Sequence, residues 1–304
     1  VEHEPTGARR RLGAELRRLR GNADMRLDEV GRKLSCSTSK ISRLENGKGI
    51  PKPRDVEDLL RIYGVTADLE MAMLRRLVHE SRSRGWWETY TDGLSAERFV
   101  LDSPGRYAAL ETDAAGIASF DLAVLHGLAQ TPGYTRSILE ALLPRHESWE
   151  IDRLVELRRH RQRALVSADG PVRLLDVIDE GALRRVVGSP SVMAGQMERL
   201  LELADMPNVV LHVLPFDAGM HRAHSGQFSI LEIPDERGSD LVYTESHAGD
   251  TYLSDPVDVR LYRAILDDVR ARAQDPETSR ETLLRYRELH LSGEGADVDR
   301  IPGQ

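Results

Sequence analysis

Cysteine is almost missing from this chain: Cys36 is the only one in 304 residues. An internal disulfide is therefore excluded, and so is a zinc site built on several thiolates. Aromatic side chains make up only 5% of the residues. Lysine is scarce too. All four lysines (Lys33, Lys40, Lys48 and Lys52) fall in one short window, and every other basic residue is an arginine. No apolar run approaches the ~20 residues of a membrane-spanning helix. The N-terminal stretch VEHEPTGARRRLGAEL lacks the apolar core of a signal peptide. A cytoplasmic protein with no membrane partner is expected. No glycine-rich phosphate loop follows a strand-like run, and no nucleophile elbow occurs. The expectation is no enzyme, with no catalytic residues, cofactor or metal.

What is present is a hydrophobic content of 40%, enough for a buried core, and a length that suits about two domains. Charge is divided unevenly. Residues 1–64 hold 15 Lys and Arg against 10 Asp and Glu, a local charge of +5. The remainder carries −13, which leaves the whole chain at −8. A basic module on an acidic body fits a protein that grips a polyanion with one end only.

Apolar residues in the first part recur at helical spacing: Leu12, Leu16 and Leu19; then Leu27, Val30, Gly31 and Leu34; then Val56, Leu59, Leu60 and Tyr63. Short breaks separate the stripes, and a fifth helix is expected from about Ala67 to Ser83, with Leu69, Ala72, Met73 and Leu77 on one face. Ser37 stands where it can cap a helix that follows a tight turn. On that helix Ile41 and Leu44 face inward, and Thr38, Ser39, Lys40, Ser42 and Arg43 face outward. An outer face of hydroxyls and cations after a helix-turn-helix is what major-groove reading requires. Arginine forks onto guanine, lysine reaches guanine or phosphate, and a threonine methyl touches a thymine methyl.

The segments LGAELRRLR, LDEVGRKL, STSKISRLENG and PRDVEDLLRIYGV resemble the helix-turn-helix of the XRE family, the class of the lambdoid phage repressors. The resemblance implies base contacts from Thr38, Ser39 and Arg43, flanked by Lys40 and Ser42. It implies sugar-phosphate contacts from Asn46, Lys48, Lys52 and Arg54. Glu45 aligns with a structural acid that pairs with a helix-1 arginine, here Arg20. Three positions depart from the family. Gly31 stands where alanine is favoured, and Ser35 where the turn often has glycine. Leu27 replaces a glutamine that touches phosphate in several repressors.

Beyond the module, Trp86 and Trp87 suggest a hydrophobic hinge or, less economically, a stacking platform for bases. From about Ser103 strand-like runs appear at 116–122, 172–179, 208–216, 226–233 and 241–246. Helical stretches are read at Thr131–Leu143, Ser148–Ser167, Ser191–Ala204 and Asp255–Ala273. His221, His224 and Asp217 lie in a glycine-containing loop and are read as a solvated loop rather than a metal site. Asp176, Asp179 and Glu180 form no recognisable catalytic pair.

The segments ETDAAGIASFDLAVLHGLAQTPGYTRSIL, NVVLHVLPFDAGMH, GQFSILEIPD and YLSDPVDVRLYRAILDDV resemble the C-terminal domain of actinobacterial WhiJ-like regulators, also described as antitoxin-like. That family reads PGLLQT where this chain has HGLAQT, so His126 and Ala129 are substitutions. The resemblance implies a small partner protein as ligand, and a small-molecule effector suits it equally. The expected fold is multidomain: an all-α, lambda-repressor-like helix-turn-helix domain (8–66), a connecting helix and hinge (67–102), an α+β domain with a mostly antiparallel sheet (103–285), and a disordered tail (286–304). The expected function is a dimeric transcriptional regulator that binds double-stranded DNA at a palindromic operator. An antitoxin-type scaffold that sequesters a partner is the first alternative, and an enzyme with an autoregulatory DNA module the second.

Overall fold

The structure is a computed structural model that describes residues 7–49, 52–65, 71, 74, 75, 78, 81, 86–91, 94, 104–168, 170–234, 240–246 and 250–292. The chain divides into two compact units. One runs up to Thr89 and includes Gly105–Thr112; the other takes Tyr90–Pro104 and everything from Asp113. This division groups Gly105–Thr112, read from the sequence as the start of the second domain, with the first unit.

In the first unit α1 (Gly7–Asn22), α2 (Leu27–Lys33), α3 (Thr38–Glu45) and α4 (Pro53–Ile62) follow the apolar stripes. Leu12, Leu16, Leu19, Val30, Ile41, Leu44, Val56, Leu59, Leu60 and Tyr63 meet in one buried core. Helical residues continue through Leu74 and Val78, which are buried in the same core one turn apart. Leu69, Ala72, Met73 and Leu77 lie outside the described residues. The helix ends are marked by local chemistry. Glu29 accepts from the Arg26 backbone N–H at 2.9 Å to start α2. Pro53 opens α4, where a missing N–H costs nothing.

Two backbone positions explain departures from ordinary helix chemistry. A Cβ on Gly13 would stand 2.6 Å from the Glu45 carbonyl oxygen, so glycine lets α1 cross the C-terminal end of α3 closely. At the α2–α3 turn Ser35 has φ +52°, the left-handed conformation that glycine adopts without strain. Ser35 thus holds this turn at a steric cost of about 1–2 kcal/mol. Ser35→Gly is expected to stabilise the unit by about 0.5–1 kcal/mol once glycine's extra unfolded-chain entropy is subtracted. Thermal unfolding measures this; a lowered midpoint would show that the serine side chain is needed in the turn.

Trp86 and Trp87 pack edge to face, with ring centroids 5.8 Å apart. Trp87 is buried, and the Trp86 indole N–H donates to Thr112 Oγ1 at 3.2 Å. Thr112 belongs to α5 (Pro104–Asp113). The pair therefore packs within the first unit.

The second unit is built on a six-stranded sheet: β1 (Gly116–Asp121), β2 (Arg173–Asp179), β3 (Val209–Leu214), β4 (Phe228–Glu232), β5 (Leu241–Thr244) and β6 (Thr251–Leu253). The order is β3-β2-β1-β4-β5-β6. All five strand-like runs are strands; β6 is too short to show alternation. The β1–β4, β4–β5 and β5–β6 pairings are antiparallel, whereas β1–β2 and β2–β3 are parallel. The sheet is thus mixed, antiparallel by three pairings to two. The parallel half follows from the long connections, which carry α6 (Pro132–Leu142), α7 (Ser148–Arg161), α8 (Glu180–Arg184) and α9 (Pro190–Ala204). Only such helical crossovers return a chain parallel to itself.

Thr131, Ser189 and Asp255 are each followed by proline, and each side chain accepts a backbone N–H at the start of α6, α9 and α10 (Pro256–Arg272). Ala118, Phe120, Val177, Phe228, Ile230 and Val242 are buried with Val259, Leu266 and Val269 of α10. Strand alternation sends Ser119, Asp121, Asp176 and Ser229 to the opposite face. The last helix, α11 (Pro276–Ser292), packs on α9 and β3. Tyr286 and His290 are buried, and the Tyr286 hydroxyl donates to Glu180 Oε1 at 2.6 Å. Helix α11 thus carries ordered structure past residue 285, where a disordered tail was expected, because its apolar face has a partner to cover.

Candidate nucleic-acid interface

The candidate recognition helix is α3. Ser37 caps it, its Oγ accepting from the Lys40 backbone N–H at 3.3 Å. Ile41 and Leu44 anchor its inner face in the core. At the other end Glu45 is buried and fixes α3 to α1. The Arg20 guanidinium meets its carboxylate through two hydrogen bonds, 2.7 and 3.0 Å. That hydrogen bonding holds the Arg20 guanidinium above its ordinary pKa. Arg20 also donates to the Met25 carbonyl at 2.8 Å, and Arg17 Nε lies 3.6 Å from Glu45 Oε2. Glu45 therefore serves as scaffold, tying α3 to α1. Asn46 and Gly47 then end the helix, Gly47 with φ +70°.

Thr38, Ser39 and Arg43 are exposed, as are Asn46, Lys48, Lys52 and Arg54 around them. Lys40, Ser42 and Asn46 make contacts within the protein. The Lys40 ammonium pairs with Asp55 Oδ2 of α4 at 2.7 Å. Asp55's hydrogen bond and charge hold it above the ordinary lysine pKa. The Asn46 amide donates to the Ser42 carbonyl at 2.8 Å and to Ser42 Oγ at 3.3 Å, and its Oδ1 accepts from Arg17. Arg17 and Asp55 were not anticipated from the sequence. Arg17 sits one turn before Arg20 on α1, and that spacing is a signal that it shares Arg20's partner. Leu27 lies against the core rather than outward, so it offers no polar group to phosphate.

The second unit contains a different arrangement. Asp121 and Asp176 are buried on neighbouring strands, two residue pairs out of register from each other. Ser119 Oγ donates to Asp176 Oδ1 at 2.8 Å, and the His126 backbone N–H donates to Asp121 Oδ2. Burial pushes the Asp176 carboxyl up to about 7. Burial first, then the charge of Asp176, raises Asp121 well above the ordinary range. Two such carboxyls at one buried site resist ionising together. The expectation that Asp176 lacks a carboxylate partner is thus corrected: its partner is Asp121, brought beside it by the parallel register.

His126 begins the segment HGLAQT, which is clamped from several sides. Gln130 Nε2 donates to the Leu125 carbonyl at 2.6 Å, while Thr135 and Arg158 both donate to Gln130 Oε1. Gln196 of α9 accepts from the Thr131 N–H and donates to the Ala129 carbonyl. Gln162 donates to the carbonyls of Gly127 and Gln130. The segment is a fixed piece of backbone over the end of β1.

His221 also differs from its expected solvated loop. Its side chain is only 10% exposed, it packs edge-on against Phe120, and its Nε2 lies 3.9 Å from Asp179 Oδ2. His224 is exposed. Among the described residues no group of three or more His, Cys, Asp or Glu is placed to hold a metal ion, and no helix is long and apolar enough to cross a membrane.

Comparison with known families gives two matches. A helix-turn-helix domain model matches residues 11–74, the segment that carries α1 to α4. A model described as a domain of unknown function, DUF5753, matches residues 104–285. No curated protein and no solved structure matches the chain. The DUF5753 match spans more than half of the sequence and takes in the mixed sheet with its clamped HGLAQT segment, so the chain belongs to the DUF5753 family, with a helix-turn-helix domain ahead of that region.

Proposed function

We propose that this protein is a sequence-specific, XRE-type transcriptional regulator, WhiJ-like in organisation, that binds a two-fold operator as a dimer. One observation carries the reading. A capped helix, anchored by a buried ion pair, presents Thr38, Ser39 and Arg43 outward, with exposed Lys48, Lys52 and Arg54 beside them. Few other uses suit such a face on a chain whose remainder is strongly acidic. In a dimer the two recognition helices would enter the major groove one helical turn apart, ~34 Å. The second unit would sense rather than catalyse. A small partner protein or a small molecule bound there shifts DNA affinity only if it prefers one of two states, a coupling of about 1–3 kcal/mol.

Arg43→Ala is expected to cost about 1–3 kcal/mol and to relax preference at one base position. Lys48→Ala is expected to weaken binding to all duplexes alike and to flatten the salt dependence. Selection of bound fragments from genomic DNA, followed by sequencing, tests the reading. One enriched two-fold motif supports it, and unchanged base preference in Arg43→Ala removes the assigned base contact. The absence of any DNA binding, with or without candidate partners, would overturn it.

A further inference from the structure

The Lys40–Asp55 pair has a consequence for selectivity. Lys40 is the only lysine on α3, and the sequence places it among the groups facing DNA. Its ammonium is 2.7 Å from Asp55 Oδ2. Asp55 is itself held in place for a separate reason: it sits in the first turn of α4, where the helix dipole favours a carboxylate. Its side chain is 21% exposed and that of Lys40 42%, so the carboxylate is partly withdrawn from water while the ammonium stays at the surface. Thr38, Ser39 and Arg43 are exposed on the same helix.

We infer that Asp55 is a specificity-determining residue that withholds Lys40 from DNA. The inference rests on the DNA-binding reading above. A lysine free to swing onto any nearby phosphate adds affinity for every sequence equally and carries no base information. Neutralised by Asp55, Lys40 gives an incorrect site no such compensation, and discrimination falls to Arg43, Thr38 and Ser39. Asp55 acts through Lys40 and touches no base.

Binding of the full chain to the selected operator duplex and to a duplex of arbitrary sequence, across a salt series, tests this. Asp55→Asn is expected to tighten binding to the arbitrary duplex several-fold. It is also expected to steepen the slope of log K against log salt by about one, the signature of one added phosphate contact. The ratio between the two duplexes should fall. Lys40→Ala combined with Asp55→Asn, which keeps the pair's net charge at zero, should cancel the gain and return both affinities and slopes to near wild type. Thermal unfolding of each variant separates these effects from damage to α4. A gain that survives in the double variant would mean that Asp55 repels DNA by its own charge, and the inference would fall. Wild-type binding with no effect of Asp55→Asn sinks this inference alone; a wild type that binds neither duplex sinks the regulator reading as well.

Discussion

Replacing Glu45 by alanine is expected to destabilise the first unit by about 3–5 kcal/mol. Glu45 is 3% exposed and Arg20 19% in their side chains, so the pair sits largely out of water. Removing the carboxylate leaves the Arg20 guanidinium with its Met25 carbonyl partner and no counter-charge. Arg17 loses the same acid. Domain stabilities are about 5–15 kcal/mol in total, so this single change removes a large share. Chemical denaturation followed by far-UV circular dichroism reads the loss. Glu45→Gln keeps the side chain's size and part of its hydrogen bonding, so its cost should be smaller. Equal costs for the two variants would show that packing, not charge, fixes α3 to α1.

Asp176→Asn is expected to act in the opposite direction, and only at higher pH. The folded unit holds the Asp176 proton up to about 7, whereas an unfolded chain releases it near 3.9. The native state therefore binds the proton more tightly. The stability linked to it is complete below about pH 4 and drains away as pH rises through about 7. The loss amounts to on the order of 4 kcal/mol. An asparagine amide still accepts from Ser119 and donates toward Asp121, with no charge to bury. The variant should match wild type near pH 4 to 5, exceed it at pH 8, and show a flatter stability–pH curve. A variant destabilised by the same amount at both pH values would show that ionising the buried Asp176 carboxyl is not what costs stability at higher pH.

Much of the first unit could be read from spacing. The apolar stripes gave its core, Ser37 gave the cap of α3, and the alignment of Glu45 with Arg20 gave the ion pair. What spacing cannot supply is the partner of an outward polar residue. Lys40 and Arg43 look alike on a helical wheel; only the approach of α4 turns one of them toward Asp55. The second unit shows the same limit at sheet level. Alternation located β1 to β5 within a residue or two, because it reports which residues are extended. It says nothing of which strands are neighbours, so Asp121 and Asp176 stayed unpaired on paper. Helical stretches between β1, β2 and β3 were the available sign of parallel crossovers, outweighed by the meander of β4 and β5. Helix α11 went unread because its buried positions include Ser279, Thr282 and His290, polar residues that an apolar stripe does not mark.

The central position of β1 has a kinetic side. Its neighbours are β2, which starts at Arg173, and β4, which ends at Glu232. Both lie far along the chain, so loop closure must precede the contacts that reward it, and such topologies fold slowly. The helix pairs of the first unit close over short stretches, Arg20 onto Glu45 among them. On a ribosome the helix-turn-helix unit has its core residues in hand early, while β1 can gain β2 on one edge but keeps the other open until Glu232 has emerged. Nascent chains would therefore carry a folded, basic head ahead of an unfinished sheet, and aggregation during synthesis should depend on the interval between β1 and β4 more than on any residue of the helix-turn-helix.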